Sequence, residues 1–167
     1  VATTFKPAYA SGAAVTLSLS ALGSSSTLTS GQQSSEIDNT SALYDDLLLS
    51  GFVTTGISPV AGQVIQLSAA GWDAQANAYP DTLTGAGDAA KTLTSANVLL
   101  GAVKPLITMV VDSTNQRSYY FSNLSVAAAF GGVLPQKIVL FIAHNTGVNL
   151  AAVAGQADQQ GLQWQGV

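Results

Sequence analysis

Apolar residues in this chain recur at nearly every second position through most segments, a period that belongs to strands and not to amphipathic helices. In residues 15–20, Val15, Leu17 and Leu19 alternate with Thr16, Ser18 and Ser20. One face is aliphatic and the other hydroxylated, as in a strand with one side on a core. Residues 43–54 (LYDDLLLSGFVT) predict a longer strand with a bulge near Gly51. Residues 64–70 set Ile65, Leu67 and Ala69 opposite Gln66 and Ser68, and residues 106–111 put Ile107, Met109 and Val111 on one face. Residues 119–124 (YYFSNL) are aromatic and β-prone. Residues 137–143 (KIVLFIA) are apolar on both faces, which predicts a central strand. Residues 162–167, with Leu162 and Trp164 opposite Gln163 and Gln165, predict the last strand.

Turn chemistry separates these segments: Ser24 to Ser26, Ser58-Pro59, Tyr79-Pro80-Asp81, Gly85-Ala86-Gly87-Asp88, Asp112 to Asn115 and Asn145-Thr146-Gly147. Two stretches predict short helices. One is 95–103 with Ser95 as N-cap, and the other is 125–130, stopped by Gly131-Gly132. About eight strands with little helix indicate an all-β, antiparallel β-sandwich, and a jelly roll is the eight-stranded solution for one domain of this size. A meander barrel is the alternative. Residues 1–12, with Phe5 and Tyr9 as the large anchors, are expected to form an extended N-terminal arm, and residues 13–167 a single β-sandwich domain.

Charge narrows the function. The 167 residues hold 5 basic and 9 acidic side chains, 8% charged in all, for a net charge of −4. Phosphate neutralisation needs clustered Lys and Arg. Here Lys6, Lys91, Lys104, Arg117 and Lys137 are scattered singly, so neither nucleic acid nor an anionic membrane is an expected partner. The mean hydropathy of +0.34 does not indicate a spanning helix. Alanine supplies 26 of the apolar residues, and Lys104, Pro105, Gly131, Gly132, Pro135 and Lys137 interrupt the best apolar windows well short of the ~20 residues a span needs. The opening residues VATTFKPAYASG show no basic region leading into an apolar core. What remains is a surface of hydroxyls, amides and small side chains, with little charge to keep copies apart.

Catalytic chemistry is sparse. His144 is the single histidine, in His144-Asn145-Thr146-Gly147 at the end of the most apolar strand, with no nucleophile motif beside it. It is expected to bond backbone there. Asp73, Gln75, Asn77 and Asp81 space oxygen ligands like the start of a calcium loop, but Ala78 stands where such a loop needs glycine, and no Glu closes it. A hairpin loop whose polar side chains cap their own amides fits better. Asp45 and Asp46 are adjacent on a strand and point apart, and Glu36, Asp38 and Asn39 are expected as turn residues and solvated edge charges. No metal, cofactor or enzymatic activity is expected. Trp72, Tyr79, Tyr119 and Tyr120 are the residues able to stack on a sugar ring, although consecutive Tyr119, Tyr120 and Phe121 suit packing across strands.

Several short segments, in one order, carry a resemblance. They are Gln33 to Ser41 (QSSEIDNTS), Tyr44-Asp45-Asp46-Leu47, Thr54 to Pro59 (TTGISP), Tyr79-Pro80-Asp81, Phe130 to Pro135 (FGGVLP) and His144 to Leu150 (HNTGVNL). Across about residues 16–150 the chain resembles small virion structural proteins of tailed bacteriophages, in particular the jelly-roll cement (decoration) proteins on the outside of capsids. The resemblance implies a non-enzymatic role: many copies bind across junctions of the major capsid protein on the outer capsid surface and hold the expanded, DNA-filled shell. It implies the major capsid protein and the chain itself, as dimer or trimer, as partners. It transfers no catalytic residue; Gly131, Gly132 and Gly147 suit positive-φ turns, and Pro135 a strand start. The expected capsid or self-association contacts are Phe5, Lys6, Tyr9, Trp72 and Tyr79. The alternative function is a carbohydrate- or receptor-binding module of a tail or fibre-base virion protein.

Overall fold

The structure, a computed structural model, describes the backbone of residues 5–166 and the side chains of residues 6–152. In chain order the elements are β1 (Phe5–Tyr9), β2 (Ala13–Val15), β3 (Ser30–Gln33), β4 (Ile37–Asp38), β5 (Asp46–Thr55), β6 (Val64–Gly71), β7 (Ala89–Thr92), α1 (Ala96–Gly101), β8 (Lys104–Val110), β9 (Ser118–Ser125), α2 (Val126–Ala129), β10 (Lys137–His144) and β11 (Leu150–Gly166). The strands form two antiparallel sheets. One runs β1-β11-β5-β9, with β2 also on β11; the other runs β7-β3-β10-β6-β8, with β4 also on β10.

The pairing has a simple origin. Val64 faces Val110, Leu48 faces Ser125, Ile138 faces Ile37, Val15 faces Ala157 and Phe5 faces Gly166. These pairs are nested about one point of the chain, Gly85 to Asp88, so the molecule is one long hairpin folded back along itself. A second set of pairs, β10 with β6 and β11 with β5, closes that hairpin into two layers.

Between the layers lies the main core. Leu47, Leu49, Val53 and Phe121 come from the β11 sheet, and Ile65, Leu67, Met109, Ile138, Leu140 and Ile142 from the β10 sheet. The other side of the β10 sheet is buried too. Val139, Phe141 and Ala143 pack with Ala70, Tyr79, Leu83, Leu93, Leu99 and Val103. Most of that cover comes from residues 72–103, the segment at the hairpin tip, which folds back over the sheet instead of reaching away from it. β10 is therefore central and buried on both faces, as its sequence predicts.

The strands expected at 64–70, 106–111, 119–124 and 137–143 are present, within a few residues, as β6, β8, β9 and β10. Others differ for identifiable reasons. The alternation in 15–20 does point Val15 and Leu19 into the core, but the ladder ends at Val15. Beyond it the chain crosses between sheets and is held by Ser18 N–H on Asp88 and Ser35 N–H on the Thr16 carbonyl. The strand expected at 43–54 starts at Asp46, because Leu43 turns the chain at φ 52°. The bulge lies beside Gly51, opposite Ser50, but its extra residue is on β9, where Asn123 takes φ 52° and donates its N–H to Ser50 Oγ at 3.0 Å. Residues 162–166 are the end of a 17-residue strand, β11, and Val167 lies outside the described residues. Residues 5–9 of the expected arm form β1 on β11, and residues 1–4 lie outside the described residues.

Eleven strands are present among the described residues, more than the alternation indicates. β3, β4 and β7 have no apolar stripe. Gln33 is fully buried; its Oε1 accepts from Thr84 N at 2.8 Å and its Nε2 donates to the Gly87 carbonyl at 2.9 Å. Ser34 bridges the kink between β3 and β4, its hydroxyl accepting from Leu140 N at 2.9 Å. Both helices form. Ser125 caps α2 by accepting from Ala128 N, whereas Ser95 stands at the N-cap of α1 without a side-chain bond. Gly131 and Gly132 end α2 with φ 76° and 91°. Pro135 does not start a strand; it precedes β10 and packs on Gly71.

Gly31 marks the tightest approach of β3 to β10. A Cβ there would sit 2.2 Å from the Ile142 carbonyl oxygen. Gly31→Ala is therefore expected to cost about 1–3 kcal/mol by overpacking. Gly101→Ala, in α1 with nothing within 4 Å of the added carbon, is expected to be neutral or to gain up to about 1 kcal/mol. Urea unfolding of the two variants beside the parent protein checks the contrast; equal shifts would contradict the account of β3.

Candidate functional site

The residues with chemistry fall into three places. The first is a polar knot at the start of β10. Lys137 Nζ donates to Glu36 Oε1 at 2.9 Å and lies 4.0 Å from Asp38 Oδ2 and 5.4 Å from the centre of the Trp72 ring. Tyr79 donates its hydroxyl proton to Glu36 Oε2 at 2.9 Å. Lys137 is opposite Asp38 in the β10–β4 ladder, and Trp72 follows β6, whose Gly71 pairs with Ile138. The three strand segments thus converge here. The Glu36 hydrogen bond and then the nearby carboxylate charges raise the Lys137 pKa, despite opposing desolvation. Burial, followed by the bond to Glu36, pushes the Tyr79 phenol far up, so it stays a proton donor. Gly85 completes the knot; with φ 66°, it leaves room for Tyr79, whose ring a Cβ would meet at 2.7 Å.

This arrangement joins Trp72 and Tyr79, two of the residues expected to make contacts, but turns them inward. Tyr79 is only 6% exposed and Trp72 is half-buried against the second core. Glu36, expected as a solvated edge charge, is the centre of the knot. Nothing local in the sequence marks it, since its partners lie 43 and 101 residues away.

The second place is His144, fully buried at the end of β10. Nε2 lies 3.0 Å from the Leu22 carbonyl, which only accepts, so Nε2 carries the proton. Nδ1 lies 3.0 Å from Thr146 Oγ1, whose hydroxyl donates to the Val148 carbonyl at 3.1 Å. Around the ring, Ser25 N–H bonds the His144 carbonyl, Gly147 N–H bonds Ser24 Oγ, and Val64 N–H bonds Asn145 Oδ1. The histidine ties residues 22–25 to the turn that follows β10, and Asn145 ties that turn to the start of β6. Desolvation lowers its pKa from 6.5, against a smaller opposite effect of the bond to Leu22.

The third place is the outer side of the β11 sheet. Phe52 and Tyr120 face each other across β5 and β9 with ring centres 5.6 Å apart, and Tyr120 is 74% exposed. At the other edge, β1 continues β11 beyond the body of the sheet. Lys6 and Tyr9 are exposed there; the side chain of Phe5 lies outside those described. Lys6 and Tyr9 thus sit on one sheet, and Trp72 and Tyr79 on the other; the fold does not gather them into one site.

Several other carboxylates accept from main-chain donors. Asp73 Oδ1 accepts from Gln75 N and Ala76 N, so the loop resembling a calcium site caps its own turn. Asp81 accepts from Thr94 N, and Asp46 from Leu47 N and Ala127 N. Asp112 takes Thr114 N, the Tyr119 hydroxyl and Arg117. Among the described residues no pocket opens, and no cluster of three or more His, Asp or Glu is placed to hold a metal ion. Among the described residues no helix is long and apolar enough to cross a membrane. Comparison of the chain with protein-family models, with curated proteins and with solved structures gave no match.

The buried histidine generates a pH dependence. Its folded pKa is below its unfolded value, so the unfolded chain binds the proton more readily and stability rises with pH through that window. Stability from this group is fully present above 6.5 and is lost as pH falls below it towards the folded value. Urea midpoints measured from neutral pH down to about pH 5, above most carboxylate titration, are expected to fall in the parent protein. They are expected to change less in His144→Gln, which starts less stable. Equal pH slopes would contradict the assignment.

Proposed function

We propose that this chain is a structural protein of a tailed-bacteriophage virion, a jelly-roll cement that binds the outer capsid surface across junctions of the major capsid protein and stabilises the DNA-filled shell. It performs no reaction and uses no cofactor on this reading. The observation that carries it is a sparsely charged β-sandwich face left open to solvent, with Leu48, Phe52 and Tyr120 on it, on a body where most of the described carboxylates are engaged by its own chain. A clamp of this kind desolvates few charges when it docks, and buried unpaired charges are what would make docking costly. The resemblance of residues 16–150 to cement proteins points the same way.

The jelly-roll assignment draws support from the strand orders. Taken without β1, β4 and β7, the sheets run β2-β11-β5-β9 and β3-β10-β6-β8. That is the order obtained by rolling up one long hairpin of eight strands, with two Greek keys. On this assignment β1 is the N-terminal arm and β7 belongs to the insertion over the second sheet. The alternative, a carbohydrate- or receptor-binding module, has less support. Its aromatic platform was to be Trp72 with Tyr79; Tyr79 is buried, and the Lys137 ammonium lies over the Trp72 ring.

The test uses expanded, DNA-filled shells lacking the protein. Purified chain is expected to bind them saturably and raise their melting temperature. Absence of binding to such shells overturns the reading, and a glycan-array signal lost in Trp72→Ala would favour the alternative.

A further inference from the structure

We propose that His144 and Thr146 form a proton switch that works within the folded protein and acts on the loop at residues 56–62. Both residues are fully buried. The ring lies between two oxygens, the Leu22 carbonyl 3.0 Å from Nε2 and Thr146 Oγ1 3.0 Å from Nδ1. The Thr146 hydroxyl in turn reaches the Val148 carbonyl at 3.1 Å. That hydroxyl has one proton and, while Nδ1 is bare, two acceptors within reach. With a neutral ring it meets Val148 or Nδ1, and the other goes without. A second ring proton removes the conflict: Nδ1–H donates to Oγ1, the hydroxyl keeps Val148, and Nε2–H keeps Leu22. Every group in this row is then met with no heavy atom displaced, and the two bonds from the ring are of the stronger, charge-assisted kind. The site thus accepts the charged ring in place, where a ring facing a fixed donor would have to leave.

The backbone of Thr146 joins this row to the surface. Its carbonyl accepts from Val60 N at 2.9 Å, and Gly147 lies so close that a Cβ on it would meet Val60 Cγ2 at 2.9 Å. Val60 belongs to the loop between β5 and β6, which is held by Gly62 N–H on the Val111 carbonyl and Ser58 N–H on Asn115 Oδ1. Ser58 takes φ 61°, a conformation uncommon for a residue with a Cβ. The loop exposes Ile57 and Val60, by 65% and 50%. A change of protonation at the ring therefore reaches exposed apolar residues through one hydroxyl-bearing residue and one backbone hydrogen bond.

No other charge enters the row. Residues 19–35, 47–72 and 145–157, which hold the partners of His144 and the strands beside and facing it, carry no ionisable side chain. The ionisable groups at that end of the fold, Asp112, Arg117 and Tyr119, are bonded to one another. Burial outweighs the bond to Leu22, so the ring takes its second proton below pH 6.5 and the switch turns as pH falls. The inference rests on this geometry and not on the virion reading.

The test is nitrogen NMR of the ring and backbone of the full chain, titrated from neutral pH downward, with Thr146→Val and Thr146→Ser. In the parent protein His144 is expected to gain its second proton reversibly before the chain unfolds. Both ring nitrogens are then protonated, and the Val60 amide shifts with the same midpoint. Thr146→Val keeps the shape but removes the acceptor, so its midpoint is expected to fall by about one pH unit, the difference between a charged and a neutral hydrogen bond. Thr146→Ser keeps the hydroxyl and is expected to titrate as the parent does. A ring that stays neutral until the chain unfolds, a Val60 amide that ignores the titration, or a Thr146→Val midpoint equal to the parent's overturns the proposal. The parent titration decides the first two points whether or not Thr146→Val folds.

Discussion

Strand β10 is the constraint on which the rest of this molecule depends. Alternate residues feed two separate cores, Ile138, Leu140 and Ile142 on one side and Val139, Phe141 and Ala143 on the other. Both edges are paired, with β6 along one and β3 and β4 along the other. A strand of this composition is stable only where every face and edge is covered. The β11 sheet supplies one layer and residues 72–103 the other. The polar groups that end β10 are met in the same way: Lys137 by Glu36 and Asp38, His144 by Leu22 and Thr146. Glu36, Asp38 and Leu22 come from distant parts of the chain, so the burial of β10 and the nested hairpin are two descriptions of one requirement.

How much of this was legible follows from what each segment buries. Where the buried face is aliphatic, as in β6, β8 and β10, alternation placed the strand and its core residues. Ile65, Leu67 and Ala69 face the main core and Gln66 and Ser68 the opposite side, as the alternation placed them, but Ser68 is buried there. Where it is made of amides and hydroxyls, alternation was silent. β3 is Ser-Gly-Gln-Gln, and its burial depends on Gln33 finding Thr84 and Gly87 across the tip of the hairpin. No local pattern announces partners that far away. The double apolar face of β10 implied two covering layers, but not that the second would come from the tip segment. Side-chain chemistry was similarly divided: the self-capping of Asp73 is local and was readable, whereas the role of Glu36 depends on Tyr79 and Lys137 and was not.

The scarcity of charge gains a structural meaning. In an ordinary domain most carboxylates point to water and leave their N–H partners to the backbone. Here Asp38, Asp46, Asp73, Asp81, Asp88 and Asp112 each accept from main-chain amides in loops or at strand ends. Hydrogen bonds from Thr40 hold Asp38 below its usual pKa, and those from Ser18 and Gln32 hold Asp88 there against the upward push of burial. The few charges of this chain thus serve as fasteners in loops that contain little helix or sheet to hold them. The surface left over is sparsely charged, and sparsely charged surface costs little to bury.

The two sheets are not equivalent in what covers them. The β10 sheet is covered on its outer face by its own chain, with β7, α1 and the Tyr79 loop in place. Anything approaching from that side meets an added layer, not a sheet. The β11 sheet keeps its outer face, where Leu48 and Phe52 are only half-buried and Tyr120 is open. Its edge at β9 carries the bulge at Asn123, which interrupts the regular row of edge donors and acceptors. Its far edge has Pro7. With both edges blunted and one face occupied by the core, the open face is the part of this sheet that the described residues leave uncovered.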